Sequence, residues 1–189
     1  MRNHSLSMHF AAHAPNLKSM DSLQRYFSAL SAEFPFRYFT YFCSRVSGGS
    51  GRVETVTSYP EAWRTHYFLE RCELTDPVLR TGRNSFLPVN WSRIENLSTG
   101  ERRFFEASYD FGLGKHGITV PVRGPQRETA FVSVNAENPP SKWWDDMHLG
   151  LADLTYFGFL LHQHIAKLAE VGSSPPEHTP SSLHARLKF

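Results

Sequence analysis

Residues 59–78 read YPEAWRTHYFLERCELTDPV, and within them the chain passes from strand-like to helix-like patterning. Just before, FRYFTYFCSRV (36–46) is aromatic and β-prone, SGGSG (47–51) breaks it, and VETVT (53–57) follows. That order predicts a hairpin with a longer loop. Inside the quoted stretch, Pro60 fits the first turn of a helix that Glu61, Ala62 and Trp63 continue. Asp76-Pro77 repeats the device: Asp76 caps, Pro77 takes the first helical position, and Val78 and Leu79 follow. Tyr59, Trp63 and Tyr67 recur at a helical interval. Leucine would serve plain packing as well, so the gathering of two phenols, an indole and one carboxylate calls for an explanation.

Working outward, Leu17, Met20, Leu23, Phe27 and Leu30 form a helical stripe over 17–34, with Asp21 and Ser22 near its start. Leu97 to Tyr109 also has helical spacing, interrupted by Gly112, Gly114 and Gly117. HGITVPVRG (116–124) and ETAFVSVNA (128–136) read as a second hairpin around Gly124-Pro125. A long helix is expected over 141–171, with apolar positions at Trp144, Met147, Leu151, Leu154, Phe157, Leu161 and Ile165. Phe159, Leu160 and Leu168 lie off that stripe and predict a second buried side. The order predicts an α+β fold: an α/β/α sandwich with a central, mostly antiparallel sheet of about five strands covered by helices on both faces. Residues 1–16 read as a flexible arm, 17–171 as the domain, and 172–189 as a disordered Ser/Pro-rich tail.

The 189 residues suffice for one domain with a sizeable core. A hydrophobic fraction of 40% excludes a chain disordered throughout, and a formal charge of +2 does not announce a nucleic-acid binder. The aromatic fraction of 14% suits a bulky core or an aromatic-lined cavity. Cys43 and Cys72 have apolar neighbours and no metal or redox spacing, so they read as reduced, buried thiols. No apolar run approaches a membrane span, and the start MRNHSLSMHFAAHAPN lacks a signal-peptide core. A cytoplasmic protein is expected.

Alone, Asp76 reads equally well as nothing more than a helix cap, and aromatics at helical spacing are usually core. The pattern continues, however. Taken in order, YPEAW, HY, DPV, LPVNW ending in Trp91, the FFEA…FGL segment and GITVPV resemble the autoinducer-binding domain of LuxR-type quorum-sensing regulators. No single element is specific; the ordered series over roughly residues 17–170 is. The resemblance implies an N-acyl homoserine lactone as ligand and no other cofactor. It implies Asp76 as acceptor for the ligand amide N–H, the Trp63 indole as donor to the lactone carbonyl and the Tyr59 hydroxyl as donor to the acyl carbonyl. Tyr67 and Trp91 are implied as walls. The residue chemistry agrees: ionised Asp only accepts, indole only donates, and a phenol places a hydroxyl at the edge of an apolar ring.

Two departures stand out. Where many members of that family carry Ser or Thr facing the acyl carbonyl, the register through FVSVNAEN puts Phe131. That removes one hydroxyl partner and narrows the pocket. Ser133 lies on the same strand face and substitutes only if the strand is shifted. Second, the family continues into a helix-turn-helix domain, whereas TPSSLHARLKF leaves no room for one. The expectation is a ligand domain without its own DNA reader, either excised or natural. It would act as a homodimer or pair with a full-length regulator and antagonise it.

Other signals are weaker. His9 and His13 are four apart but have no evident third metal ligand, and His162 and His164 point to different helix faces. Glycines 112, 114 and 117 lack the Lys-Ser/Thr of a phosphate loop. Two further functions compete with the sensor: an enzyme hydrolysing a lactone or amide in the same pocket, and an interaction module whose pocket is filled by its own aromatics. Hydrolysis needs an activated nucleophile or metal-bound water. The motif positions offer Asp, Trp and Tyr instead, so no enzymatic activity is expected.

Overall fold

The computed structural model describes residues 5–44, 53–114, 116–125, 128–136 and 147–173. The glycine-rich turn at 47–51, Trp144 and the tail from 174 lie outside the described residues. Among the described residues, six α-helices and five strands follow one another as α1 (Leu6–His13), α2 (Met20–Leu30), β1 (Tyr38–Ser44), β2 (Val53–Thr57), α3 (Glu61–Leu69), α4 (Pro77–Arg83), β3 (Val89–Asn90), α5 (Thr99–Asp110), β4 (His116–Arg123), β5 (Thr129–Ala136) and α6 (Met147–Ser173). The strands form one sheet in the order β2-β1-β5-β4-β3, and every pairing among them is antiparallel. This is the expected α+β sandwich.

The helix starts carry their chemistry in the sequence. Ser19 and Ser22 form a capping box at α2, and Ser98 and Glu101 another at α5. Asp76 caps α4, accepting from the backbone N–H groups of Val78 and Leu79, with Pro77 at the first helical position. Along β5, Val132 and Val134 face one side while Phe131, Ser133 and Asn135 face the other, and both sides are buried. β3 pairs only with Ile118 and Thr119, so Pro121 of β4 lies past its end, where a missing N–H costs least.

One face of the sheet carries α1, α2 and α6, packed over Phe39, Tyr41, Val120, Val132 and Val134. Leu154, Phe157, Leu161 and Ile165 bury the expected stripe of α6, each worth about 1.5–3 kcal/mol. Leu160 and Leu168 pack against the same cluster, whereas Phe159 stands 48% exposed. The second side predicted for α6 therefore reduces to Phe159 and the neighbouring Tyr156, which is 57% exposed.

The flexible arm expected over 1–16 is corrected. Residues 6–13 are helical, Ala14–Asn16 add a turn of 3-10 helix, and Leu6 and Phe10 are buried. The cause lies almost the length of the chain away. Asp153 of α6 accepts from the Leu6 and Ser7 backbone N–H groups and from the Ser5 and Ser7 hydroxyls, satisfying the orphan donors of the first turn of α1. Burial pushes the Asp153 carboxyl up, but the bonds from Ser5 and Ser7 prevail and hold it below the usual carboxylate range. The histidines are structural too. The His9 ring meets the Tyr26 hydroxyl at 2.8 Å and Glu33 at 3.1 Å, while His162 and His164 reach the Tyr41 hydroxyl and the Leu17 carbonyl.

Candidate functional site

The other face of the sheet is covered by α3, α4 and α5, and their inward side chains are aromatic. Trp63, Phe104, Phe105 and Trp91 are buried with Val78 and Leu113, and Tyr59 and Tyr67 pack against them. Trp63 lies at the centre. Its ring stacks on His66 at 5.5 Å between centroids and meets Tyr67, Phe104 and Phe111 at 5.6–5.8 Å. No hydrogen bond engages the Trp63 indole N–H among the described residues.

Asp76 is brought to the same cluster. One carboxylate oxygen caps α4 at 2.8 and 3.2 Å, and the other accepts the Tyr67 hydroxyl at 3.0 Å. Burial raises its pKa to about 6, against the lowering effect of those bonds. Burial, followed by the nearby Asp76 charge, pushes the Tyr67 hydroxyl far above its ordinary value. Tyr67 is thus more than an apolar wall, because it holds the one acid of the site. The Tyr59 ring is partly exposed, but its hydroxyl end is enclosed beside Thr40, and burial raises its pKa as well. Cys72, buried in the same cluster, is pushed up to about 11 by burial and then by Asp76.

The floor is polar where a sheet core is ordinarily apolar. Thr57, Thr40, Ser133 and Thr119 stand in register on successive strands β2, β1, β5 and β4. The Thr40 and Thr57 hydroxyls are 2.6 Å apart, and those of Thr119 and Ser133 2.8 Å. The Trp91 indole donates to Thr119 at 2.8 Å, and its ring lies so close over Gly117 that a Cβ there would stand 2.3 Å from it. Asn135, fully buried, donates to the Leu113 carbonyl, and its own carbonyl oxygen has no partner. Phe131 is buried at the opposite end of the strand, in contact with Phe42 and facing Gly82 of α4.

The structure therefore brings Tyr59, Trp63, Tyr67, Asp76 and Trp91 into one aromatic layer, with Phe131 and Ser133 on the sheet face beneath it. Sequence reading missed Thr40, Thr57, Thr119 and Asn135. Their signal was the polar member of each strand alternation, which reads as a solvent face until α3–α5 are seen to cover it.

A family model described as the autoinducer binding domain matches residues 19–165. The transcriptional activator protein RaiR of Rhizobium etli is 36% identical over 107 residues, covering 57% of this chain and 44% of RaiR. The transcriptional activator TraR of Rhizobium radiobacter is 29% identical over 90 residues, covering 46% and 38%. The chain spans less than half the length of these curated relatives. Among solved structures, the fold resembles CepR2 of Burkholderia cenocepacia, described as an N-acylhomoserine lactone dependent LuxR family factor. The TM-score is 0.69 at 16% identity, over 84% of this chain and 95% of that one. It also resembles Escherichia coli SdiA, with a TM-score of 0.67 at 19% identity over 94% and 74%. A second SdiA structure, in complex with octanoyl-rac-glycerol, gives 0.63 at 18% identity over 88% and 69%. At these identities the likeness to the solved structures is one of fold.

Proposed function

Since the chain belongs to the autoinducer-binding domain family of LuxR-type regulators, we propose that it binds an N-acyl homoserine lactone between the sheet and helices α3–α5. Asp76 accepts the ligand amide N–H, the Trp63 indole donates to the lactone carbonyl, and the Tyr59 hydroxyl donates to the acyl carbonyl. Trp91, Phe131 and the ring of Tyr67, whose hydroxyl stays on Asp76, form the walls, and Ser133 lies on the floor. The observation that carries this reading is the pairing of a buried, still acceptor-capable Asp76 with an indole N–H that no protein group uses. A ligand carbonyl would give that N–H an acceptor, and a hydrogen bond of this kind is worth about 0.5–1.5 kcal/mol net.

RaiR and TraR are described as transcriptional activators, and among the described residues the motif positions offer Asp, Trp and Tyr rather than an activated nucleophile. Hydrolysis is therefore the weaker reading. A second ligand class is favoured by one observation: a protein of similar fold has been captured with an acylglycerol, whose ester and greasy chain suit the same walls. Incubation of the protein with acyl homoserine lactone, repurification and mass spectrometry of the extract tests the assignment. Intact lactone should be retained. Opened lactone would indicate an enzyme, and no retention an interaction module.

In the cell the domain would act in the cytoplasm. No described helix is long and apolar enough to cross a membrane. It would regulate by association, as a homodimer or with a full-length regulator, through the exposed Tyr156 and Phe159 of α6 beside Leu87 and Pro88. A mixed dimer would change the output of that regulator. Pull-down of tagged copies with a promoter reporter checks this. An unchanged reporter and no retained regulator, with signal in excess, would leave signal capture as the mode of action.

A further inference from the structure

The polar floor of the site specifies more than an acyl homoserine lactone core. An indole N–H only donates, so Thr119 must accept from Trp91. The Thr119 hydroxyl is fully buried, and its proton must go to an acceptor or incur the penalty of an unmade bond. Its hydroxyl neighbour is Ser133, at 2.8 Å. Thr119 therefore donates to Ser133, and the chain of donation runs Trp91 to Thr119 to Ser133. The Ser133 hydroxyl proton is left over, with no acceptor among the described residues.

Two residues further along the same face of β5 is the complementary vacancy. Asn135 is 0% exposed. Its N–H group is fixed on the Leu113 carbonyl, which sets the orientation of the amide and leaves its carbonyl oxygen as a buried acceptor without a partner. Residues two apart on a strand are about 6.6 Å apart at Cα. One oxygen seated between the two side chains, at about 2.8 Å from each, spans that gap.

The geometry points to a ligand hydroxyl at this position, accepting from Ser133 and donating to Asn135. A hydroxyl is the smallest group that offers both roles on one atom. A ketone accepts but cannot donate, and an unsubstituted methylene does neither. The domain therefore selects a hydroxyl-bearing ligand, and Ser133 acts here without any shift of the strand, because the β4–β5 register already aligns it with Thr119. Phe131, two residues the other way on the same face, closes that end with carbon and gives the ligand a single polar step.

This inference rests on the ligand reading proposed above, and the same titration separates the two. Calorimetry on the full chain compares unsubstituted, 3-oxo and 3-hydroxy acyl homoserine lactones at matched chain lengths from hexanoyl to dodecanoyl, together with 1-octanoylglycerol. The expected result is that a hydroxyl-bearing ligand binds about tenfold tighter than its unsubstituted counterpart. The difference should vanish in Ser133→Ala and Asn135→Ala, with folding checked by ligand-free thermal melts. If Asn135→Ala does not fold, Ser133→Ala decides. Preference for the 3-hydroxy lactone places the hydroxyl on the acyl chain, and preference for the octanoyl ester places it on glycerol. Both support the inference. Equal affinity for hydroxy and unsubstituted lactones overturns it while leaving the lactone reading intact, since Ser133 and Asn135 would then hold only water. Binding of none of the ligands overturns that reading and this inference together.

Discussion

A methyl group at Gly82 would stand 2.7 Å from Phe131 Cε1, so the Phe131 ring occupies the space that a side chain on that turn of α4 would need. The contact joins the sheet floor to the helix that Asp76 caps. Gly82→Ala should destabilise the protein by about 1–3 kcal/mol, because the ring must leave its position. Phe131→Ser should lower the ligand-free melting temperature, since removing a large buried ring costs about 3–5 kcal/mol. It should also broaden acceptance toward longer or 3-oxo chains. A thermal-shift panel reads both effects, and an unchanged ligand ranking would mean that Phe131 does not limit the chain.

Asp76 caps α4 through one oxygen and the proposed ligand contact falls to the other, so two substitutions separate the roles. Asn is as good a cap as Asp. Asp76→Asn should keep the cap and, above pH 6, stabilise the ligand-free fold by up to about 3 kcal/mol by removing a buried charge, while weakening ligand binding about ten- to a hundredfold. Asp76→Ala also loses the cap and should be about 1 kcal/mol less stable than the Asn variant. Calorimetry and chemical denaturation on the same preparations distinguish them. Asn binding at wild-type affinity would remove Asp76 from the ligand.

The elevated pKa of Asp76 gives a pH dependence with a definite sign. Unfolded, its carboxyl titrates near about 3.9; folded, at about 6. Its contribution to stability is therefore present below about 3.9 and lost as pH rises through about 6, and the ionised group costs the ligand-free fold about 3 kcal/mol. In the proposed site the carboxylate is the acceptor, so affinity for the lactone should fall about tenfold per pH unit below about 6. Titrations at pH 5 and 7.5 check this, with Asp76→Asn expected to be flat across the range.

The Asp76 cap was legible because Asp76 and Pro77 are adjacent letters ahead of an apolar pair. The strand pairs were legible for the same reason: Val53–Thr57 and the 116–136 hairpin carry local alternation and local turns. What escaped was set by distant partners. Helix α1 looked like an arm because Leu6 and Phe10 alone make a poor stripe, and the acid that satisfies its first turn comes from Asp153. The hydroxyl row escaped because Thr40, Thr57, Thr119 and Ser133 sit on four strands whose neighbours are fixed only by the strand order.

Asp153→Ala should release α1 from α6. Hydrogen bonds to a charged group are worth about 1.5–3 kcal/mol, and several converge here. The expected outcome is a loss of about 2–3 kcal/mol of stability and faster hydrogen exchange over Leu6–His13, with that of α3–α5 unchanged. Exchange rising equally in both regions would mean that Asp153 supports the whole fold rather than this helix.

The strand order also sets a timetable for synthesis. β1 lies between β2 and β5, and Tyr38 faces Asn135 across the central seam, so β1 leaves the ribosome long before its second neighbour exists. Until residue 136 emerges, the β1–β2 hairpin presents Phe39, Tyr41 and an unpaired strand edge, which is the kind of surface that recruits other nascent chains. Closing the seam must then overcome the entropy of a loop of roughly ninety residues. The aromatic layer and its polar floor cannot assemble before that closure, so the hydroxyl row across β2, β1, β5 and β4 is completed late in synthesis.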